Sequence, residues 1–167
     1  MNLKKKIAPA RMQRDGMNSH QFFVALPNAV RELLPTELKP FKTNVRSWLT
    51  QLYYGAPYLH YEVWNLGERR GRVELGLHFE SKTHAENERL LHGFQMCLFE
   101  IKTELGESFE AEPWDKGWSK VYETIERKPF TQGYLEEVAE RLAQIIVVLQ
   151  PIFEAVHEPR GVRVSKR

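Results

Sequence analysis

Between residues 59 and 80 apolar and polar positions alternate with a period of two. Leu59, Tyr61 and Val63 alternate with His60, Glu62 and Trp64, and Val73, Leu75, Leu77 and Phe79 with Arg72, Glu74, Gly76, His78 and Glu80. Successive side chains of a strand point to opposite faces, so each run reads as a strand with one apolar face. The short polar segment between them, Gly67-Glu68-Arg69-Arg70-Gly71, predicts an antiparallel hairpin. Elsewhere the spacing is three and four. Phe41, Val45, Trp48, Leu49 and Leu52 predict an amphipathic helix over residues 41–54, closed by Gly55, Ala56 and Pro57. Pro27, Pro35 and Pro40 are expected to divide residues 27–40 into short pieces, and Phe22 to Leu26 to add a short strand.

After the hairpin, Thr83 followed by Glu86 has the form of a capping box, from which one long helix is expected to run to Leu105. Its apolar stripe is Leu90 or Leu91, Phe94, Cys97 or Leu98, Ile101 and Leu105, and Gly106 stands where a C-terminal cap belongs. Residues 107–112 and 118–126 predict a second hairpin around Pro113 to Gly117. Leu135, Val138, Leu142, Ile145, Ile146, Leu149, Ile152 and Phe153 predict a helix over 132–157, kinked or restarted by Pro151. The expected class is α+β: an antiparallel sheet of two hairpins with helices packed on one face, in the order α-β-β-α-β-β-α. One domain is expected over residues 17–157, between tails at 1–16 and 158–167.

The run YEVWNLGERRGRVELGLHF from Tyr61 to Phe79, the helix ending EIKTELG at Gly106, the segment FEAEPWDKGWSKVYETI and the closing helix carry a resemblance. Over residues 41–156 the chain resembles a prokaryotic domain of unknown function often attached to restriction-endonuclease-like modules. The resemblance implies an accessory role in DNA processing or defence. It brings no catalytic residues, and a chain of this length leaves no room for the nuclease module.

Charge changes the picture more than composition does. Of 24 basic and 22 acidic residues, nine and two fall in the tails (Lys4, Lys5, Lys6, Arg11, Arg14, Arg160, Arg163, Lys166 and Arg167 against Asp15 and Glu158), leaving 15 against 20 in the body. Basic arms on an acidic body add phosphate affinity without sequence specificity, so the expected partners are nucleic acid reached through the tails, or a protein. The plainer reading of the arms is solvated termini. Cys97 is the only cysteine, which excludes an intramolecular disulfide framework and a thiolate zinc cluster. The longest apolar run, Ile145 to Leu149, is far short of a bilayer span. No membrane partner is therefore expected. The first residues lack the apolar stretch of a signal peptide, which points to the cytoplasm.

Three constellations could carry chemistry. On the polar face of the first hairpin stand His60, Glu62, Glu74, His78 and Glu80, and one register places His60 opposite His78. Two imidazoles with carboxylates nearby suit a divalent metal or a proton-transfer pair; the plain alternative is the wet face of a one-sided sheet, on which no metal and no cofactor are expected. The second is Glu100-x-Lys102, the spacing of restriction-type nucleases, set within a helical pattern that points the two side chains apart. Cys97, on the same stripe, reads as a buried thiol. The third is aromatic and basic: Trp64 with Arg69, Arg70 and Arg72 at one hairpin tip, and Trp114, Lys116, Trp118 and Lys120 at the other turn, the combination that holds single-stranded nucleic acid. The expected function is a non-enzymatic binding or interaction domain accessory to DNA processing. The alternative is a metal-dependent hydrolase or nuclease using the outer face of the first hairpin.

Overall fold

A computed structural model describes residues 16–158. The chain enters through α1 (Ser19–Leu33), started by a reciprocal capping box: Asn18 Oδ1 accepts from the Gln21 N–H at 2.9 Å, and Gln21 Oε1 accepts from the Asn18 N–H at 2.9 Å. Phe22, Phe23, Leu26 and Val30 line its buried face. This replaces the short strand expected at Phe22 to Leu26, and Pro27 does not break the helix. A proline there deprives the carbonyl four residues earlier, that of Phe23, of its donor. The hydroxyl of buried Thr50 donates to that carbonyl at 2.8 Å. The orphan acceptor thus becomes the point at which α1 docks on the sheet. Thr50→Val, which keeps the shape and removes the donor, should cost about 1–3 kcal/mol in urea denaturation. Unchanged stability would show that the carbonyl finds another partner.

The helix expected over residues 41–54 is a hairpin, β1 (Lys42–Val45) and β2 (Leu49–Tyr53), closed by Arg46 N–H donating to Leu49 O at 2.9 Å. The three- and four-residue spacing is met equally by two strands and a tight turn. Leu52 is buried, whereas Trp48, which a helical stripe would bury, is half exposed at the turn. Then come β3 (Leu59–Asn65) and β4 (Arg72–Phe79), paired as expected, with His60 opposite His78. Gly67 and Gly71, at φ 89° and 61°, supply left-handed corners of their loop.

The single long helix expected after β4 is two, α2 (His84–Met96) and α3 (Leu98–Leu105), broken at Cys97, where φ is −100° and ψ 7°. Thr83 occupies the N-cap position but the capping box does not form; its own N–H is taken by Ser81 Oγ at 3.1 Å. The break re-aims the stripe, so that α2 buries Leu90, Leu91 and Phe94 and α3 buries Ile101 and Leu105. Cys97 is only partly buried at the junction. The second hairpin is β5 (Glu110–Pro113) and β6 (Ser119–Glu126). Last is α4 (Gln132–His157), capped by Thr131 Oγ1 accepting from the Tyr134 N–H at 3.1 Å. It passes through Pro151 as one element; Val147, whose carbonyl loses its donor there, lies on the exposed face of the helix.

The class is α+β, and the order is corrected to α-β-β-β-β-α-α-β-β-α. Six antiparallel strands lie in the order β1-β2-β3-β4-β6-β5. The odd-numbered apolar residues Tyr61, Val63, Val73, Leu75, Leu77 and Phe79 are buried beneath the helices in one core with the stripes of α1, α2, α3 and α4. Among the described residues no helix is long and apolar enough to cross a membrane. The basic tails lie outside the described residues, apart from Gly16 and Glu158.

Candidate metal centre

The face of the sheet turned away from the helices is not the wet surface expected of it. His60, Glu62, Glu74 and His78 are all buried, His78 fully, and Glu80 is partly buried. The reason is the turn between β5 and β6. Lys116 and Gly117 adopt positive φ, folding Trp114 back so that its ring meets His78 edge-on at 5.3 Å and Trp64 at 6.0 Å. Asn87 of α2 holds this turn, donating to Gly117 O at 2.9 Å while also bonding the backbone of Ser81, one residue past Glu80. Trp64, placed by its parity among the polar set, is half-buried as part of this roof.

Strand geometry brings the polar set together. His60 and His78 face each other with ring centroids 5.6 Å apart. Gly76 lies opposite Glu62 and between Glu74 and His78 on the same face. A Cβ there would stand 2.4 Å from Val121 O and 2.6 Å from Tyr122 Cβ, so only glycine lets β6 approach and bring Lys120 over Glu74.

The hydrogen bonds orient each ring. His60 Nδ1 lies 2.8 Å from Pro57 O, an acceptor, so Nδ1 carries the hydrogen. Asn44 donates to Gln51 Oε1 at 3.0 Å, which turns the Gln51 amide NH2 toward His60 Nε2 at 3.1 Å and Glu62 Oε2 at 2.7 Å. His60 Nε2 therefore looks into the cluster, 3.3 Å from Glu62 and 3.8 Å from Glu80. His78 Nε2 donates to Glu74 Oε1 at 3.0 Å, and Glu74 Oε2 accepts from Lys120 Nζ at 2.8 Å. His78 Nδ1 looks into the same space, 3.3 Å from Glu80 and 4.0 Å from Glu62.

With carboxylates at both nitrogens, His78 is an imidazolium. Burial alone would push it down, but hydrogen bonds to Glu74 and Glu80 and the charges of Glu62 and Glu74 raise it from 6.5 to about 9. Burial would likewise raise Glu62 and Glu74. For Glu62 the contact with His60, the charge on His78 and the Gln51 amide outweigh it; for Glu74, His78 and Lys120 do. Both carboxyls are held below the ordinary range.

One donor atom each from His60, Glu62, His78 and Glu80 lies within 4.8 Å of the others. Donors on a metal with bonds of about 2.1 Å stand about 3.4 Å apart in a tetrahedron, so side-chain shifts of about an ångström close the set. The second nitrogen of each ring is already tied down, His60 to a carbonyl and His78 to a carboxylate, the arrangement that fixes the tautomer of metal-binding imidazoles. A cleft of about 210 Å³ reaches the cluster from solvent, walled by Trp48, Trp64 and Trp114, with Gln51, Glu62 and Glu80 at its floor. A second cavity, of about 140 Å³ and lined by Tyr53, Tyr54, Tyr61 and Phe153, lies beside Gln150 and gathers no carboxylate pair from the described residues.

The other constellations are not assembled. Lys120, expected to meet phosphate, is buried in its ion pair with Glu74, its Nζ 5.0 Å above Trp114 and 3.9 Å above Tyr122. Arg72 bonds Thr124, while Arg69, Arg70 and Lys116 are exposed and Trp118 lies tilted against Trp114, ring centroids 5.6 Å apart. Glu100 and Lys102 lie on the helix α3, and Lys102 pairs with Glu110 at 3.5 Å. Missed in the sequence were Gln51, Gly76, Asn87 and Trp48; the parity of β2 would have found Gln51 once that segment was read as a strand.

Compared with known proteins, the chain matches no family model, no curated protein and no solved structure.

Proposed function

We propose that the chain is a metal-binding domain in which His60 Nε2, His78 Nδ1 and the carboxylates of Glu62 and Glu80 hold one divalent transition-metal ion. The observation that carries this reading is the convergence of two imidazole nitrogens and two carboxylates in one buried space, with the far side of each ring already hydrogen-bonded. Charge supports it. Glu62, Glu74 and Glu80 bring three negative charges, and Lys120 with a divalent ion brings three positive ones, so the ion takes over the neutralising role of the His78 proton. Two nitrogen donors favour zinc, iron, cobalt or nickel over magnesium and calcium, which prefer oxygen alone.

Zinc should raise the melting temperature and saturate at one ion per chain, with stabilisation of about 4 kcal/mol at a thousandfold excess over Kd. Because His78 must give up its proton, zinc affinity should rise about tenfold per pH unit from 7 to about 9, where that proton leaves unaided. Glu80→Gln, at the rim of the cluster, should weaken zinc and leave the fold intact. A flat zinc response of the wild-type chain would overturn the reading. Among the described residues, the accessory role in DNA processing that the resemblance implies is supported by Arg69 and Arg70, exposed at the hairpin tip.

A further inference from the structure

The cleft above the cluster says what the loaded metal would meet, an inference that rests on the metal reading. Of the four ligating residues, Glu62 and Glu80 line the cleft and the two imidazoles lie behind them. The opening lies on the side of Glu62 and Glu80, so a fifth donor that expands the four-coordinate set would reach the ion from there. The walls are indole rings, and Trp48 at the mouth is half exposed, so an incoming ring displaces water from an aromatic face. Among the described residues no lysine or arginine lines the cleft. An anion is therefore repelled by Glu62 and Glu80 until a divalent ion offsets them, whereas an organic cation would be drawn to the empty, acidic cleft. Both oxygens of Glu62 and Oε1 of Glu80 are directed at His60, His78 and Gln51, which leaves a cation in the cleft chiefly the aromatic faces.

We propose that the cleft receives a small planar molecule bearing an oxyanion, of the aromatic carboxylate or hydroxamate class, whose oxygen binds the metal while its ring lies among Trp48, Trp64 and Trp114. Cobalt(II) serves as the probe metal because its visible absorption reports its ligands. The full chain is titrated with cobalt, then with benzohydroxamate and with acetohydroxamate, which has the same donor and no ring. The expected result is that benzohydroxamate changes the cobalt spectrum at about tenfold lower concentration than acetohydroxamate, the factor one aromatic contact supplies. Trp48→Ala should erase that preference with cobalt affinity unchanged, and metal-free protein should show no tryptophan quenching by either probe. Equal affinities in the wild type, a preference that survives Trp48→Ala, or binding without metal would overturn the inference and leave the metal reading standing. Absence of a protein-bound cobalt spectrum would overturn both.

Discussion

Leu75→Ala should lower the unfolding free energy by about 2–5 kcal/mol, the sum of lost transfer energy and the cavity left behind. Leu75 is fully buried at the middle of β4, the strand whose inner face meets the helices and whose outer face carries Glu74 and His78. Neighbouring Val63 on β3 is also fully buried, and across on β6 stands Glu123, held by Arg141 and by Ser108 Oγ at 2.7 Å. Polar groups fixed in that way do not collapse into a void, which places the cost toward the upper part of the range. Chemical denaturation checks it. A cost below about 1 kcal/mol, as at a surface position, would mean that β4 does not lie under the helices.

His78→Ala in metal-free protein should cost about 3–5 kcal/mol at neutral pH, because it strips a buried charge cluster of one of its cations. An exposed histidine, as the wet-face reading had it, would cost little. Here the ring is fully buried, and its loss leaves Glu62, Glu74 and Glu80 with Lys120 alone. The pH dependence follows from the directions of the shifts. His78 is raised on folding, so its contribution is fully present below 6.5 and is lost as pH rises through about 9. Glu62 and Glu74 are lowered, so theirs is present above 4.5 and lost as pH falls through their folded values. Metal-free wild type should be most stable between these windows, and the deficit of His78→Ala should narrow in acid as the stranded carboxylates take up protons. Urea titrations at pH 7 and pH 5 check both. A variant as stable as wild type at pH 7 would show that the imidazolium is not what balances the cluster.

The hairpin β3–β4 and its His60–His78 register were legible because period-two alternation admits only registers that keep the apolar faces together. What hid the site was its roof. Parity marks His60, Glu62, Glu74 and His78 as facing away from the core, and nothing local says that Trp114, two strands along, folds back to cover them. The first third of the chain misled for a related reason. Proline 27 reads as a breaker until Thr50 supplies the missing partner for the Phe23 carbonyl, and the stripe from Phe41 to Leu52 fits a helix until Trp48 is seen at a turn. In the first segment a contact between distant residues overrode the local signal; in the second a tight turn met the same spacing as a helix.

The most direct measurement is the X-ray absorption fine structure of the zinc-loaded chain at the zinc edge. Two imidazoles should appear through their outer-ring scattering, with nitrogen and oxygen neighbours at about 2.0–2.2 Å and no sulfur. A sulfur neighbour at about 2.3 Å, which in this chain points to Cys97 or a methionine, or a shell of oxygen alone, would contradict a centre built from His60, His78, Glu62 and Glu80.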